Sequence, residues 1–134
     1  MATRAPDPSA VTEVIRQICV ALPEVEERPS HGAPTFFVRG KKSFLTVWTD
    51  GHHGDRFAHF WCAAPPGAQE ELVEREPDRF FRPPYVGHRG WLGVRLDHDI
   101  DEAELAEICR EAYRAIAPKT LLARLDEADK VDDS

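Results

Sequence analysis

The stretch "TFFVRGKKSFLTVWT", residues 35–49, decides the fold. Upstream of it apolar residues recur at helical spacing. Here the period falls to two, and aromatic and β-branched residues dominate. "GKK" in its middle is turn chemistry, so "TFFVRG" and "SFLTVWT" read as antiparallel strands joined by a hairpin. "RFAHFWCA", residues 56–63, repeats the strand composition after a second turn, "DGHHGD", and makes a third strand.

Toward the N-terminus, Val11, Val14, Ile15, Ile18, Cys19 and Leu22 fall on one helical face, and Pro23 ends the run. Asp7 is placed to cap this helix, with Pro8 at its first position. "EVEERPSHGAP", residues 24–34, reads as a polar loop. Toward the C-terminus, "GAQEELVEREP" is a short amphipathic helix that stops before Pro77, and "GWLGVRL", residues 90–96, is a fourth strand. Asp101 is placed to cap a long helix, and Glu104 to complete a capping box. Leu105, Ile108, Cys109, Ala112 and Ile116 form the buried stripe of that helix. Lys119 to Leu125 adds a turn or two of helix. The expected architecture is one α+β domain over 1–134, with a core at about 7–125 and loose tails at 1–6 and 126–134. Its order is α–β–β–β–α–β–α–α, a twisted antiparallel sheet backed by helices.

Hydrophobic residues make up 42% of the 134 and charged residues 31%, a mixture that excludes global disorder. No apolar run approaches the roughly 20 residues that span a bilayer, and "MATRAPDPSA" lacks the apolar core of a signal peptide. The expected location is the cytoplasm, with no membrane partner. Cys19, Cys62 and Cys109 are odd in number and widely spaced, as reduced core thiols are, and no close pair suggests zinc. Net charge is −7, distributed as −3 over residues 1–27, +3 over 28–95 and −7 over 96–134. An anionic partner therefore has only the middle segment to meet.

"LPEVEE", "HGAPTFFVRGKKSF", "PPYVGHRGWLGVRL" and "AYRAIAPKTLLARL", in this order and spacing, resemble the MmcQ/YjbR family of small bacterial proteins. The resemblance covers about residues 10–125. It implies a CyaY-like, "double-wing" fold, and members of the family are often named as DNA-binding on structural grounds. Frataxin-like proteins share the general architecture and handle iron.

Two clusters carry the candidate chemistry. Arg39, Lys41 and Lys42 sit at the hairpin tip, where they either reach adjacent phosphates or guard an edge strand. In "PPYVGHRGW", Pro83 and Pro84 set an extended approach and Gly87 and Gly90 bracket a turn. Tyr85 and Trp91 either stack on a ligand or pack as a lid on the core. Packing is the expectation, which leaves His88 and Arg89 to meet a phosphate or carboxylate. His31, in "SHGAP", binds an anion or caps a carbonyl. His52 and His53, with Asp50 and Asp55, are too poorly framed for a structural metal site. Glu24, Glu26 and Glu27 and the run from Asp97 to Glu104 read as solvated, helix-stabilising charge rather than iron ligands.

No phosphate-cradling glycine loop, nucleophile elbow or H-E-x-x-H motif is present, so no catalysis, cofactor or metal is expected. The expected function is a binding module for DNA or another phosphate-bearing ligand. A protein-interaction or regulatory module without nucleic acid is the alternative, and metal handling is third.

Overall fold

In a computed structural model, residues 8–49, 57–98 and 101–132 are described. Helix α1 (Pro8–Val20) leads into strands β1 (Val25–Ser30), β2 (Ala33–Val38), β3 (Lys42–Trp48) and β4 (His59–Cys62). Helix α2 (Ala68–Arg75), strand β5 (Phe80–Phe81), a 3-10 turn (Gly87–Arg89) and strand β6 (Leu92–Arg95) follow. Helices α3 (Glu102–Ile116) and α4 (Lys119–Asp132) complete the order. The strands form one antiparallel sheet in the order β1-β2-β3-β4-β6-β5. The α+β class and the helix-backed antiparallel sheet are as the sequence indicates.

Three expectations need correction. Residues 25–30 are not a loop but the edge strand β1, paired with β2 from Val25↔Val38 to Ser30↔Ala33. An edge strand has one free side, so it tolerates Pro29 and shows no apolar alternation to read. Its turn is His31–Gly32, with φ of 53° and 79°, the doubly left-handed geometry of a two-residue hairpin. Strand β5 was also not legible, because two residues carry no period. Finally, α4 does not stop near Leu125 but continues to Asp132. No Gly or Pro interrupts it, and Asp126 accepts a hydrogen bond from Arg114 of α3 at 3.1 Å.

Helix caps follow the sequence in part. Asp101 Oδ1 accepts from the Ala103 N–H at 2.9 Å. Glu104 does not close a capping box; its carboxylate pairs with Arg79 instead. Asp7 and the pair His52 and His53 lie outside the described residues.

A β-bulge in β3 decides which residues face which way. The register steps from Phe36↔Leu45 to Phe37↔Ser43, leaving Phe44 as the extra residue. Phe44 and Leu45 are therefore both fully buried against the helices, and alternation resumes one residue out of phase. Phe44 meets Tyr113 of α3 edge-on at 5.7 Å, and the Tyr113 hydroxyl donates to the Pro23 carbonyl at 2.8 Å. Ile15 and Cys19 of α1, Cys109 and Ala112 of α3, and Leu121 of α4 complete this inner core. Ser43, Thr46 and Trp48 are turned to the opposite, outer face. They are joined there by Trp61, His59, Gly93 and Phe81 through the pairings of β3, β4, β6 and β5.

Candidate functional site

The outer face carries a row of rings. Trp48 and Trp61 lie 5.2 Å apart between centroids, His59 is 6.1 Å from Trp61 and 5.4 Å from Phe81, and Phe57 is 5.7 Å from Phe81. Phe81 lies directly over Gly93, where a Cβ would meet its ring at 2.4 Å. Trp48 and Trp61 floor a groove of about 560 Å³, within the range of small-ligand sites. Ser43 and Thr46 extend the floor, and the rims are His31 with Ser30 on one side and Tyr85, Val86, Arg89 and Trp91 on the other.

Backbone geometry, not sequence proximity, sets these rims. His31 and Tyr85 both hold positive φ, 53° and 66°. Non-glycine residues adopt this region uncommonly and at a cost. Past Tyr85 the 3-10 turn raises His88 and Arg89, and Gly90 at φ 84° returns the chain to β6. Arg89 sits over the Trp91 ring at 5.4 Å. The whole corner is fastened from below by Gln69 of α2. Gln69 is buried, and its amide donates to the carbonyls of Gly87 at 2.8 Å and Trp91 at 2.5 Å.

The expected packing of the two corner aromatics holds for Trp91, 5% exposed, and fails for Tyr85, 70% exposed. Tyr85 holds a left-handed backbone, φ 66°, and lines the groove instead of joining the core. His31, Tyr85, Arg89 and Trp91 come together at one groove; His88 is exposed on the same turn but does not line it.

The hairpin tip is elsewhere. Arg39 (φ 54°) donates its N–H to the Glu24 carbonyl at 2.9 Å and sets its guanidinium on the Glu24 carboxylate at 3.2 Å. Glu24 also receives Arg124 of α4 at 2.8 Å, and Arg39 foremost holds its carboxyl below the usual carboxylate range. Arg39 is thus committed to the helix side. Lys41 and Lys42 are exposed and do not line the groove. Two of the acidic residues expected to be solvated, helix-stabilising charge are instead held in ion pairs: Glu27, in β1, accepts from Arg16 at 2.6 Å and Asp97 from Arg95 at 2.6 Å. Among the described residues no group of three His, Cys, Asp or Glu is arranged to hold a metal, and no helix is long and apolar enough to cross a membrane.

The family model described as YjbR matches residues 20–115. The chain belongs to the YjbR family. The match takes in both the His31 turn and the Tyr85 corner, so the YjbR region contains every lining residue of the groove. A crystal structure of a Deinococcus radiodurans protein with the DUF419 domain is similar in fold, with a TM-score of 0.67 and 18% identity. It covers 81% of this chain and 80% of its own. No curated protein matches this YjbR-family chain.

Gln69, Trp48, Trp61 and Thr46 were not legible as site residues. Simple alternation through "SFLTVWT" puts Phe44, Thr46 and Trp48 on one face, and only the bulge separates them. A polar residue on the buried side of the α2 pattern was the available signal for Gln69.

Proposed function

We propose that the protein is a non-catalytic binding module whose outer groove holds an unstacked nucleobase with its phosphate, on a single strand or as a free nucleotide. The observation that carries this reading is Tyr85, a large aromatic 70% exposed and held at φ 66° on the rim of a tryptophan-floored groove. Strain at an exposed ring is worth its cost where the ring has something to stack on. Base–aromatic stacking contributes about 1–3 kcal/mol per base. Charge contributes less here, because among the described residues Arg89 is the one guanidinium lining the groove, and the chain carries a net −7. A single phosphate contact on a single strand corresponds to a log–log salt slope of about −0.7. Stacking therefore sets the affinity, and Arg89 with His31 orients the phosphate.

Fluorescence anisotropy with labelled oligo-dT and labelled duplex DNA, at low and at roughly physiological salt, tests this. The expected result is preference for the single strand, a shallow salt slope, and loss of binding in Tyr85→Ala and Arg89→Ala. Competition by AMP separates the free nucleotide from the strand. Binding that survives Tyr85→Ala and vanishes in Lys41→Ala/Lys42→Ala moves the site to the hairpin tip and overturns the reading.

The second reading is a protein-interaction module that uses the same groove. The low charge of its lining favours it, since an aromatic floor with one guanidinium also suits a peptide side chain ending in a carboxylate. The sheet edges are poor docking strands: β1 carries Glu26, Glu27, Arg28 and Pro29, and β5 is two residues long.

A further inference from the structure

On the helix side of the sheet, a second cleft of about 400 Å³ opens between α2 and α3 at the end of β4. Its floor is apolar, made by Cys62, Ala63, Phe80 and Leu92, with Leu72 of α2 and Ile108 of α3 as walls. Burial pushes the Cys62 thiol well above its ordinary pKa, so the floor is uncharged at neutral pH. The upper wall is different. Glu104, Glu107 and Glu111 succeed one another along one face of α3.

Two cations beside the cleft, Arg75 of its lining and Arg79, are paired with carboxylates of this chain. Arg75 pairs with Glu71 at 2.8 Å, and Arg79 is shared between Glu76 and Glu104. Glu107 and Glu111 are exposed, and among the described residues neither makes an ion pair with a cation of this chain. The cleft thus combines a dry floor, the volume of a small-molecule site and two uncompensated carboxylates at its mouth. A neutral apolar ligand would leave the carboxylates unused, and an anion would be repelled by them.

We propose that this cleft is a second binding site, distinct from the outer groove, for a small organic cation whose apolar body lies on Cys62, Phe80 and Leu92 and whose ammonium group sits between Glu107 and Glu111. The charge complementarity is one-sided, so the site discriminates between a cation and its charge-reversed isostere. Recognition is short-range at the mouth of the cleft and weakens with salt.

The test is a titration of the full chain with phenylbutylammonium and, separately, phenylbutyrate. It is followed by calorimetry and by NMR shifts of Ala63, Ala64, Leu72 and Ile108. The expected result is binding of the ammonium probe with shifts at those four residues. The carboxylate probe should bind at least about tenfold more weakly, a difference of about 1.4 kcal/mol. Glu107→Gln/Glu111→Gln, at exposed positions that leave the fold intact, should abolish the preference while leaving the apolar contact. Equal binding of the two probes, an unchanged preference in the double variant, or no shift at the four residues overturns the proposal.

Discussion

The side-chain amide of Gln69 donates to the Trp91 carbonyl at 2.5 Å, joining α2 to a residue that follows it by 22 positions. The same nitrogen donates to Gly87 at 2.8 Å, so one buried side chain closes the corner that carries Tyr85 and Arg89. Local sequence sets the turns of that corner, but Gln69 sets where it sits relative to the sheet.

Replacing Gln69 by Ala should therefore loosen the corner without altering the sheet. Two carbonyls lose their donor, and an unsatisfied buried polar group costs about 1–3 kcal/mol. The expected loss is about 2 kcal/mol in urea unfolding, with amide exchange accelerated at residues 85–91. Gln69→Glu should be worse, because a carboxylate faces two carbonyl oxygens. Unchanged exchange in the corner would remove Gln69 from this role.

Gly93 and Phe81 make the second case. A Cβ at residue 93 would meet three atoms of the Phe81 ring between 2.4 and 2.6 Å, and that ring is already set against Phe57 and His59. Gly93→Ala should destabilise by about 1–3 kcal/mol, as overpacking does. Phe81→Ala combined with Gly93→Ala should cost less than the sum of the two single changes, a coupling that a double-mutant cycle reads directly. Additivity would mean that the ring moves aside freely.

The contrast between these elements explains how much was legible. α1 and α3 announce themselves through long helical periods, and β2, β3 and β4 through aromatic and β-branched runs. β1 does not, because an edge strand with one covered side needs no apolar alternation and can carry Pro29. Arg39 shows the same limit for the site: at a hairpin tip it reads as a free cation, yet Glu24, fifteen residues earlier, holds it through both backbone and side chain. Tyr85 could not be placed either, since nothing in "PPYVG" states that its φ is positive. Contacts set by the bulge and by Gln69 are tertiary, and a local pattern does not contain them.

Asp97 supplies a pH dependence. Arg95 donates to it through Nε at 3.0 Å and Nη2 at 2.6 Å, and this pair foremost depresses its carboxyl below the usual range. A depressed folded-state pKa adds stability above the unfolded value of about 3.9, and that stability is lost as pH falls through the folded value. Asp97→Asn should thus be less stable than the parent at neutral pH, by under about 1 kcal/mol for a partly solvated pair. The gap should close below about pH 4. Urea midpoints from neutral pH into the acid range check it; a gap that is constant with pH would assign the effect to packing.

The cysteines give the last prediction. Cys19, Cys62 and Cys109 are far apart in sequence yet meet in the inner core, where α1, β4 and α3 converge; all three are free and buried. The hydrogen bond with Cys109 foremost raises the Cys19 thiol, and burial raises Cys62. Since the thiolate is the reactive form, burial closes access to all three, and at Cys19 and Cys62 the anion is disfavoured as well. In the folded protein a disulfide reagent should label none of the three in mildly alkaline buffer, and all three should react once urea unfolds the chain. The labelling rate should follow the unfolding equilibrium, so that Gly93→Ala speeds it by the factor by which it raises the unfolding equilibrium constant. A single thiol that labels rapidly in the folded state would show local access to the core, and its identity would tell which of the three elements opens.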